Sequence, residues 1–234
     1  MADLSARPVL ITGGTGGLGQ AVVQRLVGEY VCIVPYRSAD EWSNLQGKIN
    51  QPDRLSGAQV DLEDEAAVTR FIADVRAQHG SLYGVVHLAG GFAAGSVEET
   101  MPADWNRMLA RNLTSTFLIL HATIPLLKAR GAGRIITIGS AAVATRPAGI
   151  AAYNVSKAGI AVLTETVAHE LKSAAITANT LLPGSMATPA MLKQMRPDQL
   201  VPLERVADTI AFLLSDAAAG ITGAGIPITV TGGA

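Results

Sequence analysis

Cysteine occurs once in the 234 residues, as Cys32, so no internal disulfide can form and none is expected to hold the fold. No metal-ligand cluster is read from the sequence either. Lys and Arg (18) nearly balance Asp and Glu (19), for a formal charge of −1, and no basic block interrupts the chain. A nucleic-acid partner is therefore not expected, because proteins that follow phosphates cluster their cations. No apolar run approaches the roughly 18 residues of a bilayer-spanning helix. The opening MADLSARPVLITGG lacks the basic-then-apolar order of a secretory leader. These absences predict a soluble protein of a reducing, cytoplasmic compartment. Aromatic residues make up only 4% while Gly occurs 24 times, a balance that favours tight turns and close backbone approaches over filament-like packing.

What is present is a hydrophobic half, 49% of all residues, in a length suited to one domain. Apolar, β-branched runs recur at residues 8–12, 31–34, 58–60, 84–88, 134–138, 176–182 and 226–230. Most are continuous rather than alternating, the mark of strands covered on both faces. Helical periodicity fills the spaces at 18–27, 65–78, 102–127, 152–171 and 203–214. Strict alternation of the two predicts an α/β protein, a parallel sheet doubly wound with helices on both faces. Nothing resembling a linker or repeat divides it, so residues 1–234 are read as a single domain. Gly131 and Gly133 should end the long segment from 102, and Pro125 should disturb its last turns.

Directly after the first strand comes Thr12-Gly13-Gly14-Thr15-Gly16-Gly17-Leu18-Gly19, then a helix. Such a turn lets main-chain N–H groups approach a pyrophosphate at a helix N-terminus, where the helix dipole favours negative charge. Gly13, Thr15, Gly16, Gly17, Leu18 and Gly19 are therefore candidate cofactor-binding residues. After the second strand, Val34-Pro35-Tyr36-Arg37-Ser38 carries Arg37 where an acid would hold the ribose 2′-hydroxyl of NAD. A guanidinium can instead bind a 2′-phosphate bidentately, which predicts NADP(H) over NAD(H). The competing reading leaves Arg37 in solvent and gives the acid's place to Asp40 or Glu41.

Tyr153-Asn154-Val155-Ser156-Lys157 opens a helical segment, and the i, i+4 spacing puts the phenol and the ammonium on one face. A neighbouring cation stabilises a phenolate, which suits a group that must exchange a proton near neutral pH. Ser140 lies 13 residues earlier, just past a predicted strand, where open parallel sheets place their ligands.

With these motifs in this order, the chain resembles the short-chain dehydrogenase/reductase family over essentially its whole length, with 3-oxoacyl-carrier-protein reductases among the similar members. The family pattern T-G-x-x-x-G-x-G matches Thr12, Gly13, Gly17 and Gly19; Asp61, followed by Leu62, matches an acid that contacts adenine. Asn112, Ser140, Tyr153 and Lys157 match the catalytic set, and Pro183-Gly184-Ser185-Met186-Ala187-Thr188-Pro189 matches the loop that meets the nicotinamide. The closing Ile221-Thr222-Gly223 and Thr231-Gly232-Gly233 match the end of the family's last strand. The resemblance implies a Rossmann-type sheet of about seven strands. It also implies hydride transfer between a nicotinamide and a carbonyl or secondary alcohol, with Tyr153 as general acid/base. In that scheme Lys157 assists Tyr153 and holds the ribose, Ser140 holds the carbonyl oxygen, and Asn112 positions a water.

Two departures stand out. Where the family usually reads N-N-A-G, this chain has His87-Leu88-Ala89-Gly90-Gly91, keeping the small Ala89-Gly90-Gly91 step beside the ribose. His87 is read as a structural residue at a strand end. Only residues 190–201 are available for a lid, which predicts an open cleft. Ala141–Ala144 and Met186, Met191 and Met195 suggest an apolar substrate such as a 3-oxoacyl thioester, ketone or quinone, although the Met series equally suits a packing face. Arg107 and Arg146 are candidate contacts for an anionic substrate, or solvated surface charges. Gly90-Gly91-Phe92 with the Tyr–Lys pair also resembles dihydropteridine reductases, and a non-catalytic NADP(H)-sensing scaffold is the reading of another class. Family members usually form tetramers, here expected through stripes of Leu109, Leu113, Phe117, Ile160, Leu163 and Val167, unless those residues face the sheet; a dimer is the other assembly considered.

Overall fold

The computed structural model describes residues 7–230 and holds a seven-stranded sheet in the order β3-β2-β1-β4-β5-β6-β7. The strands are β1 (Pro8–Thr12), β2 (Val31–Tyr36), β3 (Leu55–Gln59), β4 (Gly84–His87), β5 (Gly133–Ile138), β6 (Ile176–Pro183) and β7 (Gly225–Ile228). Every neighbouring pair is parallel. The closing Thr231, Gly232 and Gly233 lie outside the described residues.

The continuous apolar strands follow from cover on both faces. On one side α1 (Gly17–Leu26) and α8 (Leu203–Leu214) bury Val22, Leu26, Val206 and Ile210 against Val9, Ile11 and Ile136. On the other, α3 (Glu65–His79), α5 (Ser115–Arg130) and α7 (Ala151–Glu170) bury Phe71, Leu120 and Val167 against Leu10, Val85 and Ile135. Odd and even strand positions thus feed two separate cores, as the two-residue period of a strand requires.

Three elements depart from expectation. β3 begins at Leu55 rather than 58, because this edge strand is only half covered and carries Ser56 and Gly57 instead of an apolar run. A Cβ on Gly57 would fall 2.6 Å from Trp42, so the glycine makes room for that ring. Trp42 belongs to α2 (Ala39–Gln46), an unanticipated helix that buries only Leu45; its N-cap Ser38 Oγ accepts from Glu41 N at 3.3 Å. The single helix expected over 102–127 is α4 (Pro102–Leu109), a π-turn (Ala110–Thr114) and α5, with Pro125 inside α5 and left-handed Gly131 closing it.

β1 lies between β2 and β4, so the chain's direction of winding reverses beside it. Ligands of open parallel sheets bind at such a point, beyond the carboxyl ends of the strands.

Candidate active site

The glycine turn sits at that reversal. Gly13 adopts φ +66, and a Cβ there would lie 2.8 Å from Ala89 N, so β1 and β4 open into a shared crevice only because the side chain is absent. Gly16 caps α1 without a side-chain hydrogen bond, which leaves the helix's first N–H groups to a ligand. A Cβ on Gly17 would meet Thr188 and Pro189 at 3.5 Å, so the loop after β6 arches over the same turn. Pro183 ends β6, Gly184 N donates to Ile228 O at 2.9 Å, and Met186 bridges to Val201 while packing on the core edge. The glycine turn and the loop after β6 therefore meet at one rim, while Leu18 turns into the core.

A cleft of about 350 Å³ runs along this rim and is lined by Gly13, Thr15, Gly16, Arg37, Leu62, Ala89 and Gly90, among others. Asp61 stands just outside it: Arg37 Nη2 donates to Glu63 at 3.0 Å and to Asp61 at 3.5 Å. Sequence reading missed Arg111 and Ser115, which also line the cleft, as does Glu41, one of the two acids of the competing reading. Glu41 Oε2 accepts from Thr15 Oγ1 at 2.9 Å. The Ser38-to-Glu41 spacing is a helix-start signature, and the helix it opens carries this carboxylate to the glycine turn. Glycines held close to neighbouring backbone, a free helix N-terminus and a rim carrying Arg37 and Arg111 beside Glu41 and Glu63 fit a dinucleotide.

The four catalytic candidates come from three elements. Ser140 follows β5 by two residues, and its Oγ accepts from Ala142 N at 3.2 Å at the start of α6 (Ala142–Thr145). Tyr153 and Lys157 stand one turn apart at the beginning of α7, with Lys157 Nζ 6.0 Å from the Tyr153 ring centroid. Lys157 is 6% exposed and donates to Ile138 O at 2.9 Å; burial pushes its ammonium down to about 8. Phe92 meets the Tyr153 ring edge-on at 5.0 Å and is itself exposed.

Asn112 sits in the π-turn, fully buried. The extra residue of a π-turn shifts register and aims this side chain inward. Its Oδ1 accepts from Gly91 N at 2.7 Å, while its Nδ2 faces Gly91 O at 3.1 Å, Met108 Sδ at 3.0 Å and Ser156 Oγ at 2.9 Å. The amide thus ties the loop after β4 to α7. A Cβ on Gly90 would strike Asn112 Oδ1 at 2.7 Å and approach Lys157 Nζ at 3.3 Å, so this backbone threads between the two. Arg107 is taken by Asp104 through an ion pair on α4. Arg146 is exposed in left-handed backbone, φ 47, in the loop between Ser140 and Tyr153. Residues 190–201 form two short turns, Met191–Lys193 and Pro197–Gln199.

A phosphate-ready turn at the reversal of a doubly wound parallel sheet, facing a Tyr–Lys pair, defines the class of Rossmann-type oxidoreductases. Residues 7–200 match the family model described as short chain dehydrogenase, and the chain belongs to that family, whose members use nicotinamide cofactors. It is 32% identical to 2,5-dichloro-2,5-cyclohexadiene-1,4-diol dehydrogenase LinX of Sphingobium indicum, over 96% of this chain and 95% of that protein. It is 28% identical to the 3-oxoacyl-(acyl-carrier-protein) reductase FabG of Salmonella typhimurium, over 92% of each. A short-chain type dehydrogenase/reductase from Mycobacterium ulcerans superposes with a TM-score of 0.89 at 26% identity, covering 96% of this chain and 88% of that one. Among the described residues no helix is long and apolar enough to cross a membrane, and no group of three or more His, Cys, Asp and Glu could hold a metal ion.

Proposed function

We propose that this protein is an NADP(H)-dependent oxidoreductase acting on a carbonyl or secondary alcohol, with Tyr153 as general acid/base. The observation that carries the reading is Lys157: a buried ammonium anchored to Ile138 O, one helical turn from Tyr153 at the mouth of the nucleotide crevice. NADP(H), when bound, supplies or accepts the hydride at its nicotinamide. Tyr153 gives its proton to the carbonyl oxygen during reduction and takes it back during alcohol oxidation. Lys157 places positive charge beside the phenolic oxygen where negative charge develops, and has N–H groups to spare for ribose hydroxyls. Ser140 donates to the substrate oxygen, an interaction that strengthens as that oxygen becomes an alkoxide. Asn112 holds Gly91, and with it the Ala89–Gly91 backbone, in place beside the ribose.

Arg37 on the cleft rim supports NADP(H), because its guanidinium can exchange Glu63 and Asp61 for a 2′-phosphate. A second reading rests on Glu41, whose carboxylate lines the same cleft and would accept from the 2′-hydroxyl of NAD. The relatives include one that acts on a ring diol and one that acts on a 3-oxoacyl chain. The apolar residues near Ser140 suit either kind of uncharged carbonyl, so ketones, quinones and 3-oxoacyl thioesters form the substrate panel. A cytoplasmic homotetramer completes the proposal.

The test is a substrate screen with NADPH and NADH on the wild type, Tyr153→Phe and Arg37→Ala. Tyr153→Phe should lose about 10²- to 10⁴-fold in kcat, the usual worth of a positioned acid. Arg37→Ala should erase a preference for NADPH. Wild-type turnover in Tyr153→Phe overturns the mechanism, and an unchanged cofactor ratio in Arg37→Ala hands the ribose to Glu41.

A further inference from the structure

The sheet face covered by α3, α5 and α7 is apolar until the carboxyl ends of its strands, where it changes abruptly. Thr12 of β1, His87 of β4, Thr137 of β5 and Thr180 of β6 are register partners in sequence across four strands. All are 2% exposed or less. Thr137 Oγ1 is shared between Thr164 Oγ1 of α7 and Thr180 Oγ1, each at 2.9 Å. Thr12 Oγ1 accepts from Ala89 N at 3.3 Å and lies 2.9 Å from His87 Nδ1. We assign the tautomer in which the Thr12 hydroxyl donates to Nδ1 and the ring proton sits on Nε2.

That Nε2 has no hydrogen-bond partner among the described residues, although the ring is 1% exposed. A buried donor left unmet is unfavourable, and natural proteins meet it with protein or water. On the adjoining strand, one residue beyond His87's partner Thr137, Ile138 O holds the Lys157 ammonium. Only one of the three Lys157 donors is met there, and the charge is close enough to depress the basicity of His87, which burial and this ammonium push down to about 3. His87 Nε2 and Lys157 Nζ are thus two under-satisfied buried donors near the ends of adjoining strands, close enough for the ammonium's charge to act on the ring.

We propose that His87 is a positioning residue for Lys157, acting through a buried water whose oxygen accepts from both His87 Nε2 and Lys157 Nζ. The water gives the ammonium a second fixed contact below the reacting face. The polar row then runs unbroken from Thr12 in the glycine turn to the catalytic helix. The charged or titratable groups around Lys157 are His87 on β4, Tyr153 on its own helix and Arg111 of the π-turn against Gly91; β5 presents only the neutral Ile138 O. The proposal rests on the reading of Lys157 as the partner of Tyr153.

The test uses two amides that divide the imidazole. His87→Asn reproduces Nδ1 and keeps the Thr12 contact; His87→Gln reaches the position of Nε2. Carbonyl reduction is followed against pH with the full-length variants. The expected result is an alkaline limb near the wild-type position for Gln and about one pH unit lower for Asn, since a lost contact to a charged donor is worth about one unit of pKa. Equal limbs for Asn and Gln, or a shift in Gln alone, would overturn the proposal and leave His87 a packing residue. A high-resolution crystal structure of the wild-type protein is the second arm. Density for a water within hydrogen-bond distance of both nitrogens supports the proposal, and its absence sinks it whether or not the variants fold. Retained turnover in Tyr153→Phe, by contrast, would reject the functional reading while leaving the crystallographic result intact.

Discussion

At the scale of single residues, the proposed function depends on charges placed away from bulk solvent. Lys157 sits with its ammonium buried, and His87 is kept neutral beside it. The second fact has a thermodynamic consequence. His87 falls from 6.5 in the unfolded chain to about 3 in the fold. Between those values the unfolded state binds more protons, so the stability is complete above pH 6.5 and is lost as pH falls toward 3. At pH 4 the loss attributable to this one ring is about 3 kcal/mol. His87→Gln, which cannot titrate, should therefore lose less Tm than the wild type between pH 6.5 and 4 in calorimetric scans. Parallel Tm profiles would refute the buried neutral ring. The sequence named His87 and assigned it a structural place, but burial, which sets its protonation, belongs to the packed state.

At the scale of elements, the glycine turn shows which glycines answer to the fold and which to a ligand. A Cβ on Gly19 would stand 2.0 Å from Gly13 O and 2.6 Å from Gly14 Cα, contacts with backbone that cannot give way. Gly17 would meet only Thr188 and Pro189 at 3.5 Å, ordinary contact distances. Gly19→Ala should consequently be destabilised by about 1–3 kcal/mol or more, whereas Gly17→Ala should keep close to wild-type Tm. Thermal melts without nucleotide decide this, and equal Tm values for the two would show that the turn relaxes freely. The motif was legible in the sequence because strand, glycines and helix are contiguous. The π-turn was not, since an inserted residue leaves a 3.6-residue pattern almost unchanged over one turn while re-aiming Asn112. α2 was missed for a related reason: a helix that buries only Leu45 writes almost no apolar period.

At the scale of the whole molecule, the two cores leave apolar side chains of α5 and α7 uncovered. Of the stripe expected to form subunit contacts, Ile160 and Val167 are buried within the chain against the sheet, at 1% and 5% exposure. Phe117 of α5 is exposed, and Val155 and Val162 extend the outward face along α7 at 47% and 65%. Val155 and Val162 are seven residues apart and so lie on one side of the helix. Light scattering should return the mass of a tetramer for the wild type, and Val162→Glu should reduce it to a smaller species by placing a carboxylate in the contact. A monomeric wild type would remove the tetramer from the proposal, and an unmoved mass in Val162→Glu would place the contact elsewhere.

The alternation of continuous apolar runs with helical periods was enough to determine a doubly wound parallel sheet, because cover on both faces and the period of each element are written in local composition. The glycine turn and the Tyr153–Lys157 pair were equally plain, being short-range patterns in which neighbours in sequence are neighbours in space. Tertiary structure alone decided that Glu41 reaches Thr15, that Asn112 clamps Gly91, and that four strands bring Thr12, His87, Thr137 and Thr180 into one buried row. Each of these joins residues 21 or more positions apart across strand pairings or helix docking, and no local pattern records which partner a side chain meets or whether water reaches it.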